Sequence, residues 1–486
     1  MTAIDYIIVV AYLVGVTALG LLAGRKRKNS LDEYFLGGRM IPWFVSAASL
    51  IATGISCRSL IGMPGLTFGG DLTYLQLYLP LPLMVFLAAV IFLPFYVRHR
   101  MTSVYEYIGI RFGALPRSFA SILFQVQTAL ITGTVIAAPS LVLAEVTGLP
   151  YGWSVGLLLF LTLLYTAAGG TKAIVWTDLF QLAIFAGVPV AIGVYIINQA
   201  DGGLAGLWDI AREKGKLRIL DFSLDGEVTF WSAILSMSCF HLAQFSVNQE
   251  NSQRYLTAPS EADCKRAMVW GSVGILLIWT LLLVLGVLLF AFNQQRPGIV
   301  PAGASPDRIF PAFVLSTLPA GFRGFFVAAA LAAGMATLAS MVNAMGTAAL
   351  LDIWKLHFDD RAPEAKWVQR ARILTIAWGI ISFAAAFIVL EFGTVITAGI
   401  KISAMLIGVL FGMFVLGMTG RRATGRDAMT GAVAGILILL LVIAFTTIPW
   451  SWYCLIATAA TVAVGWVSSR LCAARLPARV EPEEVP

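Results

Sequence analysis

The chain has 486 residues, 59% of them hydrophobic and 12% charged, against roughly 25% charged in an ordinary soluble domain. A mean hydropathy of +0.85 leaves too little polar surface to wet a globule of this size, so a soluble enzyme or binding module is excluded and a polytopic membrane protein is implied. The five cysteines (Cys57, Cys239, Cys264, Cys454, Cys472) show no paired spacing, which argues against a disulfide framework or a zinc site; the net charge of +7 has to be read from where its residues fall.

An apolar helix crosses the hydrocarbon layer with about 20 residues. On that length the sequence predicts about thirteen transmembrane helices, an all-α polytopic chain, near 4–24, 41–64, 72–96, 118–144, 150–168, 173–198, 228–253, 267–292, 322–351, 371–391, 395–418, 428–448 and 450–470. The first lacks a basic n-region and a small-residue cleavage site and is followed by Arg25-Lys26-Arg27-Lys28, so it is read as a retained span rather than a signal peptide. The organisation expected is an extra N-terminal helix with a basic loop (1–40), five helices (41–198), a connector (199–227), five more helices (228–418), two C-terminal helices (419–470) and a short tail (471–486). That tail is too short for a kinase or other soluble domain.

Orientation follows from the basic residues. With the N-terminus outside and the C-terminus cytoplasmic, 24 of the 33 lysines and arginines fall on the inner side, seven on the outer side, and Arg58 and Lys401 within spans. This obeys the positive-inside rule. The surplus charge therefore describes the inner face of a cell (inner) membrane, and no nucleic-acid partner is expected.

Backbone polar groups in a bilayer must be satisfied internally, so helix breakers and polar residues at mid-depth line cavities. The second span carries Ala52-Thr53-Gly54-Ile55-Ser56-Cys57-Arg58-Ser59, with an arginine near the middle of the membrane. The seventh carries His241, Gln244, Ser246 and Asn248-Gln249-Glu250-Asn251, ending in Arg254-Tyr255, too polar to face lipid. Matching broken helices in two five-helix halves point to an inverted-repeat transporter with its site at the repeat interface. Close packing and interhelical hydrogen bonds are the competing explanation, but a charge at mid-span costs several kcal/mol that packing does not repay. Other intramembrane charges divide the same way. Asp178 reads as a cation relay or a helix-end anchor, Lys401 as a solute ligand or a snorkelling lysine, and Glu250 with Arg254 as an i,i+4 ion pair. In the ninth span Ala333, Ala336, Thr337 and Ser340 share one face, a face suited to packing or to a hard cation.

Taken together these residues resemble the sodium:solute symporter family, which includes sodium/glucose, sodium/proline, sodium/sialic acid and sodium/monocarboxylate transporters. The likeness runs through Glu33-Tyr34-Phe35-Leu36-Gly37-Gly38-Arg39, Ser103 to Tyr107 with Arg111-Phe112, Gly169 to Gln181, Asn248-Gln249 with Gln253-Arg254-Tyr255, and Ala332 to Leu338. The resemblance implies a LeuT-type 5+5 inverted-repeat core working by alternating access. It also implies a sodium site from carbonyls of Ala52, Ile55 and Ala333 and the hydroxyl of Thr337. Ala336 stands where relatives usually carry a second hydroxyl. A second sodium site would involve Asp178 and Ser340, with Ala339 where a further hydroxyl is expected. The sugar-binding positions of glucose-type members correspond here to Ser59, Tyr78 and His241, so a sugar is not expected.

The pocket instead gathers Ser56, Arg58, His241, Gln244 and Lys401, and guanidinium and imidazolium groups suit a carboxylate. The expectation is a secondary transporter that couples a small organic anion to sodium, with the sodium ion, the solute and the bilayer as partners and no cofactor. A proton-coupled or sodium-independent exchanger on the same fold is the alternative, and a non-transporting solute sensor a remote one. No nucleophile, base and orienter, no paired carboxylates and no metal-ligand cluster mark an enzyme.

Overall fold

The computed structural model describes residues 1–25, 30–301, 303–358, 362–391 and 395–473, with side chains excepted at 389–391, 395–402 and 472–473. Regular structure among the described residues is helical throughout. The principal helices are α1 (Ala3–Ala23), α2 (Trp43–Gly54), α3 (Cys57–Gly69), α4 (Leu81–Ile91), α5 (Ala114–Thr147), α6 (Tyr151–Gln199), α7 (Ser238–Ser246), α8 (Gln249–Tyr255), α9 (Glu261–Gln295), α10 (Pro306–Thr317), α11 (Phe322–Ala349), α12 (Glu364–Glu391), α13 (Val395–Thr419), α14 (Gly425–Phe445) and α15 (Tyr453–Ala473). Nine helices among the described residues are long and apolar enough to cross a membrane, and up to eleven spans result if each of two sharply bent pairs is one span.

Three chain breaks shape this bundle. The second expected span is two helices: α2 stops at Gly54, Ile55 (φ −127, ψ 108) and Ser56 (φ −89, ψ 165) are extended, and α3 starts at Cys57. The seventh is bent by 59° between the segments Phe230–Ser246 and Gln249–Tyr255, where Asn248 caps α8 by accepting from the N–H groups of Glu250 (2.8 Å) and Asn251 (3.3 Å). The fifth and sixth expected spans are joined in α6. Its 49 residues would reach about 74 Å if straight, more than twice the hydrocarbon thickness. Gly170 interrupts it with φ 59 and ψ −155, and a Cβ there would sit 2.4 Å from the Tyr34 carbonyl oxygen, so both the backbone angle and the space demand glycine.

The centre of the bundle is α11. From Phe326 to Ala348 every residue is buried, because its Ala, Gly and Ser positions let neighbours approach closely; a Cβ on Gly334 would lie 2.5 Å from Pro139 of α5. α1 is pinned to the start of α11 by Asp5, whose Oδ1 accepts from the N–H groups of Gly321 (2.8 Å) and Gly324 (2.9 Å). The connector after α6 holds the far end of α3. Lys216 donates to the carbonyls of Phe68 (2.9 Å) and Gly70 (2.7 Å) over the Phe290 ring, placing a cation at a helix C-terminus where the backbone dipole favours it. Burial lowers the Lys216 ammonium from its ordinary pKa, with Asp71 partly opposing the shift.

Candidate functional site

The two breaks leave main-chain groups without helical partners, and both face one internal space. Neither Ile55 nor Ser56 continues the N–H ladder back to the carbonyls of Ile51 and Ala52. Across from them Thr337 donates its hydroxyl to the Ala333 carbonyl at 3.0 Å, and Thr53 and Ser340 pair their hydroxyls at 3.0 Å. Ala52, Ile55, Ala333 and Ala336 are fully buried. This donor set is carbonyl and hydroxyl oxygen, the chemistry of a hard cation. Ala336 adds only a methyl group, so that position contributes no side-chain oxygen.

Beside the break lies a cavity of about 300 Å³, at the lower end of the range for ligand sites. Six of the seven expected solute residues line it: Ser56, Arg58, Ser59, Tyr78, His241 and Gln244, together with Thr53 and Thr337. The seventh, Lys401, has its side chain outside the described residues. Arg58 occupies the first turn of α3 rather than the break itself. Among the described residues its guanidinium has neither a hydrogen bond nor an ion pair. His241 donates through Nε2 to the Leu77 carbonyl at 2.8 Å and is only 4% exposed, which leaves Nδ1 as its one nitrogen for a solute. Tyr78 is stacked on Trp279 with ring centroids 4.1 Å apart, making a flat aromatic wall next to Arg58.

Sequence reasoning overlooked the α5 side of this cavity. Gln127, Thr128 and Thr134 line it, as do Asn248, Trp279 and Ser403. Gln127 donates to Ser403 at 3.2 Å, and its own Oε1 has no partner. The signal was present in Gln125-x-Gln127-Thr128, because two amides in the middle of a span are costly unless they face a polar interior.

A second polar group lies behind the first. Asp178 is fully buried; Ser49 donates to its Oδ2 at 2.5 Å, and Oδ1 is unpartnered. Its expected companion Ser340 is engaged with Thr53, so the structure links the pair to the break through Ser49 and Thr53 on α2. The expected Glu250–Arg254 ion pair is not made. No contact within 4.0 Å joins them among the described residues, Glu250 Oε1 and all three Arg254 guanidinium nitrogens lack hydrogen bonds, and Glu250 turns to the cavity wall. Both residues lie in α8, beyond the bend, where i,i+4 spacing permits such a pair, but the side chains diverge: Glu250 lines the cavity and Arg254 is fully buried in the protein interior.

Two interrupted helices meeting at a polar cavity within an all-helical bundle define a multi-pass membrane transporter of the LeuT type. The comparison with known proteins agrees. The model of the sodium:solute symporter family matches residues 34–435, and this chain belongs to that family. The human sodium/iodide cotransporter is 30% identical over 448 residues, covering 90% of this chain and 69% of its own. Sodium-coupled monocarboxylate transporter 2 of Danio rerio is 29% identical over 443 residues, covering 89% and 70%. The sodium/sialic acid symporter of Proteus mirabilis is 26% identical over 484 residues, covering 97% and 95%. Among solved structures, a substrate-bound outward-open Na⁺-coupled sialic acid symporter matches with a TM-score of 0.89 at 25% identity, covering 97% of this chain and 98% of that one. Mhp1, a nucleobase-cation-symport-1 family transporter, matches at 0.55 and 13% identity over 93% and 96%, which shows the shared fold alone. The chain is therefore a membrane symporter of the sodium-coupled kind and not an enzyme.

Proposed function

We propose that this symporter carries a small organic anion, recognised through its carboxylate, with sodium as the driving ion. The observation that carries the reading is Arg58: a guanidinium on a cavity wall with no protein partner among the described residues, flanked by Ser56, Ser59 and Tyr78. An unpaired cation in a low-dielectric site is costly, and a bidentate carboxylate would satisfy it. Gln244 and His241 Nδ1 would hold the remaining polar edge of the solute. A cavity of about 300 Å³ has room for about ten waters, which favours a compact anion over an oligosaccharide. Relatives named for monocarboxylates and for sialic acid support the carboxylate class.

In this reading sodium sits between the loose end of α2 and α11, on the carbonyls of Ala52, Ile55 and Ala333 and the Thr337 hydroxyl, with the Ala336 position contributing nothing beyond its backbone. Asp178, through its unpartnered Oδ1, and Ser340 are the candidates for a second ion. Repeats 41–198 and 228–418 rock about the two breaks to expose the site alternately, with the N-terminus outside, the C-terminus cytoplasmic and the chain in the cell membrane. The test is uptake into proteoliposomes of lactate, pyruvate, sialic acid, iodide and glucose under separate sodium and proton gradients. The reading requires sodium-driven carboxylate uptake that Arg58→Gln abolishes. Equal uptake in sodium and in choline refutes sodium coupling and favours the sodium-independent exchanger; glucose uptake insensitive to Arg58→Gln refutes the anion assignment.

A further inference from the structure

The face of α3 that carries Arg58 is covered by the start of α10. Gly62 and Gly65 follow Arg58 by four and seven residues, so the three positions share one side of the helix. A Cβ on Gly65 would sit 1.9 Å from the Pro306 carbonyl oxygen, and a Cβ on Gly62 would sit 2.8 Å from Asp307 Oδ1. The two glycines are thus a groove into which Pro306 and Asp307 are seated. The carboxylate of Asp307, an exposed residue, consequently lies beside Gly62, one helical turn beyond Arg58. Among the described residues neither Asp307 nor Arg58 has an ion-pair or hydrogen-bond partner for its charged group.

An acidic residue in the first turn of a helix is favoured by the backbone dipole, and that alone would account for an aspartate somewhere near Pro306. It does not account for two glycines that lower this aspartate onto the Arg58 face. Residues one turn apart on a helix have Cβ atoms about 6 Å apart, a distance that an arginine spans by changing rotamer.

We propose that Asp307 is the gate and specificity residue of the Arg58 site. With the cavity empty, the Arg58 guanidinium turns up to Asp307 and ties α3 to α10; a solute enters by supplying a carboxylate that takes the guanidinium away. A neutral solute has no group to exchange for Asp307, so selection for anions is made at entry as well as in the pocket. This inference rests on the reading of Arg58 as the anion ligand, and two measurements separate them.

The first is a thermal-melting cycle on the full-length chain in detergent, in sodium buffer without solute: Arg58→Gln, Asp307→Asn and the double variant. The gate predicts that the double variant melts about 1–2 °C higher than the sum of the single losses allows, because contacting charges are non-additive. Additive losses overturn the gate whether or not Arg58 binds anions. The second is lactate uptake in proteoliposomes. Removing the competitor in Asp307→Asn lowers the KM for lactate roughly 5-fold, the low end of ordinary coupling between sites, while Asp307→Glu keeps the parent value. An unchanged KM in Asp307→Asn, with Arg58→Gln still abolishing uptake, overturns the specificity role. If Arg58→Gln leaves lactate uptake intact, the anion reading falls and the melting cycle alone decides the gate. Should Asp307→Asn accumulate poorly, Asp307→Ser, which is also well tolerated near a helix N-terminus, takes its place in both measurements.

Discussion

Replacing Thr337 by valine keeps the shape of the side chain and deletes one oxygen, which isolates the proposed sodium ligand from any packing effect. The Thr337 hydroxyl bonds the Ala333 carbonyl at 3.0 Å and borders the cavity. A polar contact to a charged group is worth about 1.5–3 kcal/mol, or roughly 10- to 150-fold in affinity. Because Thr337 borders an open cavity, water can enter and supply part of the missing coordination, so the loss falls near the low end, about tenfold in half-saturating sodium. Thr337→Ser retains the oxygen and stays close to the parent. Ala336→Ser restores a hydroxyl one residue earlier on the same buried wall and shifts half-saturation to lower sodium. The assay is solute uptake against sodium concentration, with sodium-dependent thermal stabilisation of the purified protein as a readout free of solute. Parent-like half-saturation in Thr337→Val, with uptake and folding intact, refutes the placement of sodium against α11.

Other substitutions test the scaffold and the overlooked wall. Gly170→Ala forces a Cβ to within 2.4 Å of the Tyr34 carbonyl at a φ of 59°; a non-glycine residue in such a conformation costs about 1–3 kcal/mol before the clash is counted, so the melting temperature falls and surface expression with it. Arg117→Gln strips the ion from buried Asp352, which it contacts at 2.7 Å. Breaking a buried pair costs about 3–5 kcal/mol; the partial exposure of Arg117 holds this case near the lower figure, and Arg117→Gln with Asp352→Asn together should recover part of the loss in a melting assay. Gln127→Leu removes an amide with an unpartnered oxygen on the cavity wall, so KM for the solute rises with little change in melting temperature if that oxygen serves the solute. Equal losses in both would mark Gln127 as a packing residue.

Much of the architecture was legible residue by residue. Long apolar runs are necessary wherever backbone groups must find partners within their own helix, and the places that cannot satisfy this stand out: Gly54-Ile55-Ser56, and Asn248 with its polar neighbours. Family resemblance added the expectation that Thr337 and Ala333 hold an ion. The cavity-lining residues on the two broken helices stood out because each is anomalous within its own span. The pair of mid-span amides Gln125 and Gln127 signalled a polar interior, but that Gln127 reaches the cavity beside Ser403, far away in the chain, is decided by the packing of α5 against α13.

Composition, hydropathy and chain breakers settled what this protein is made of: a bundle of spans with two weak points and an arginine beside one of them. Helical periodicity tells which residues share a face, but it is silent on which faces meet, because contacts across a bundle are made by side chains hundreds of residues apart. Only the folded bundle decided that Glu250 faces the cavity while Arg254 is buried apart from it, that Lys216 closes the end of α3, and that Gly62 and Gly65 admit Asp307 above Arg58. Each of these depends on the approach of one helix to another, a distance set jointly by all the side chains packed between them.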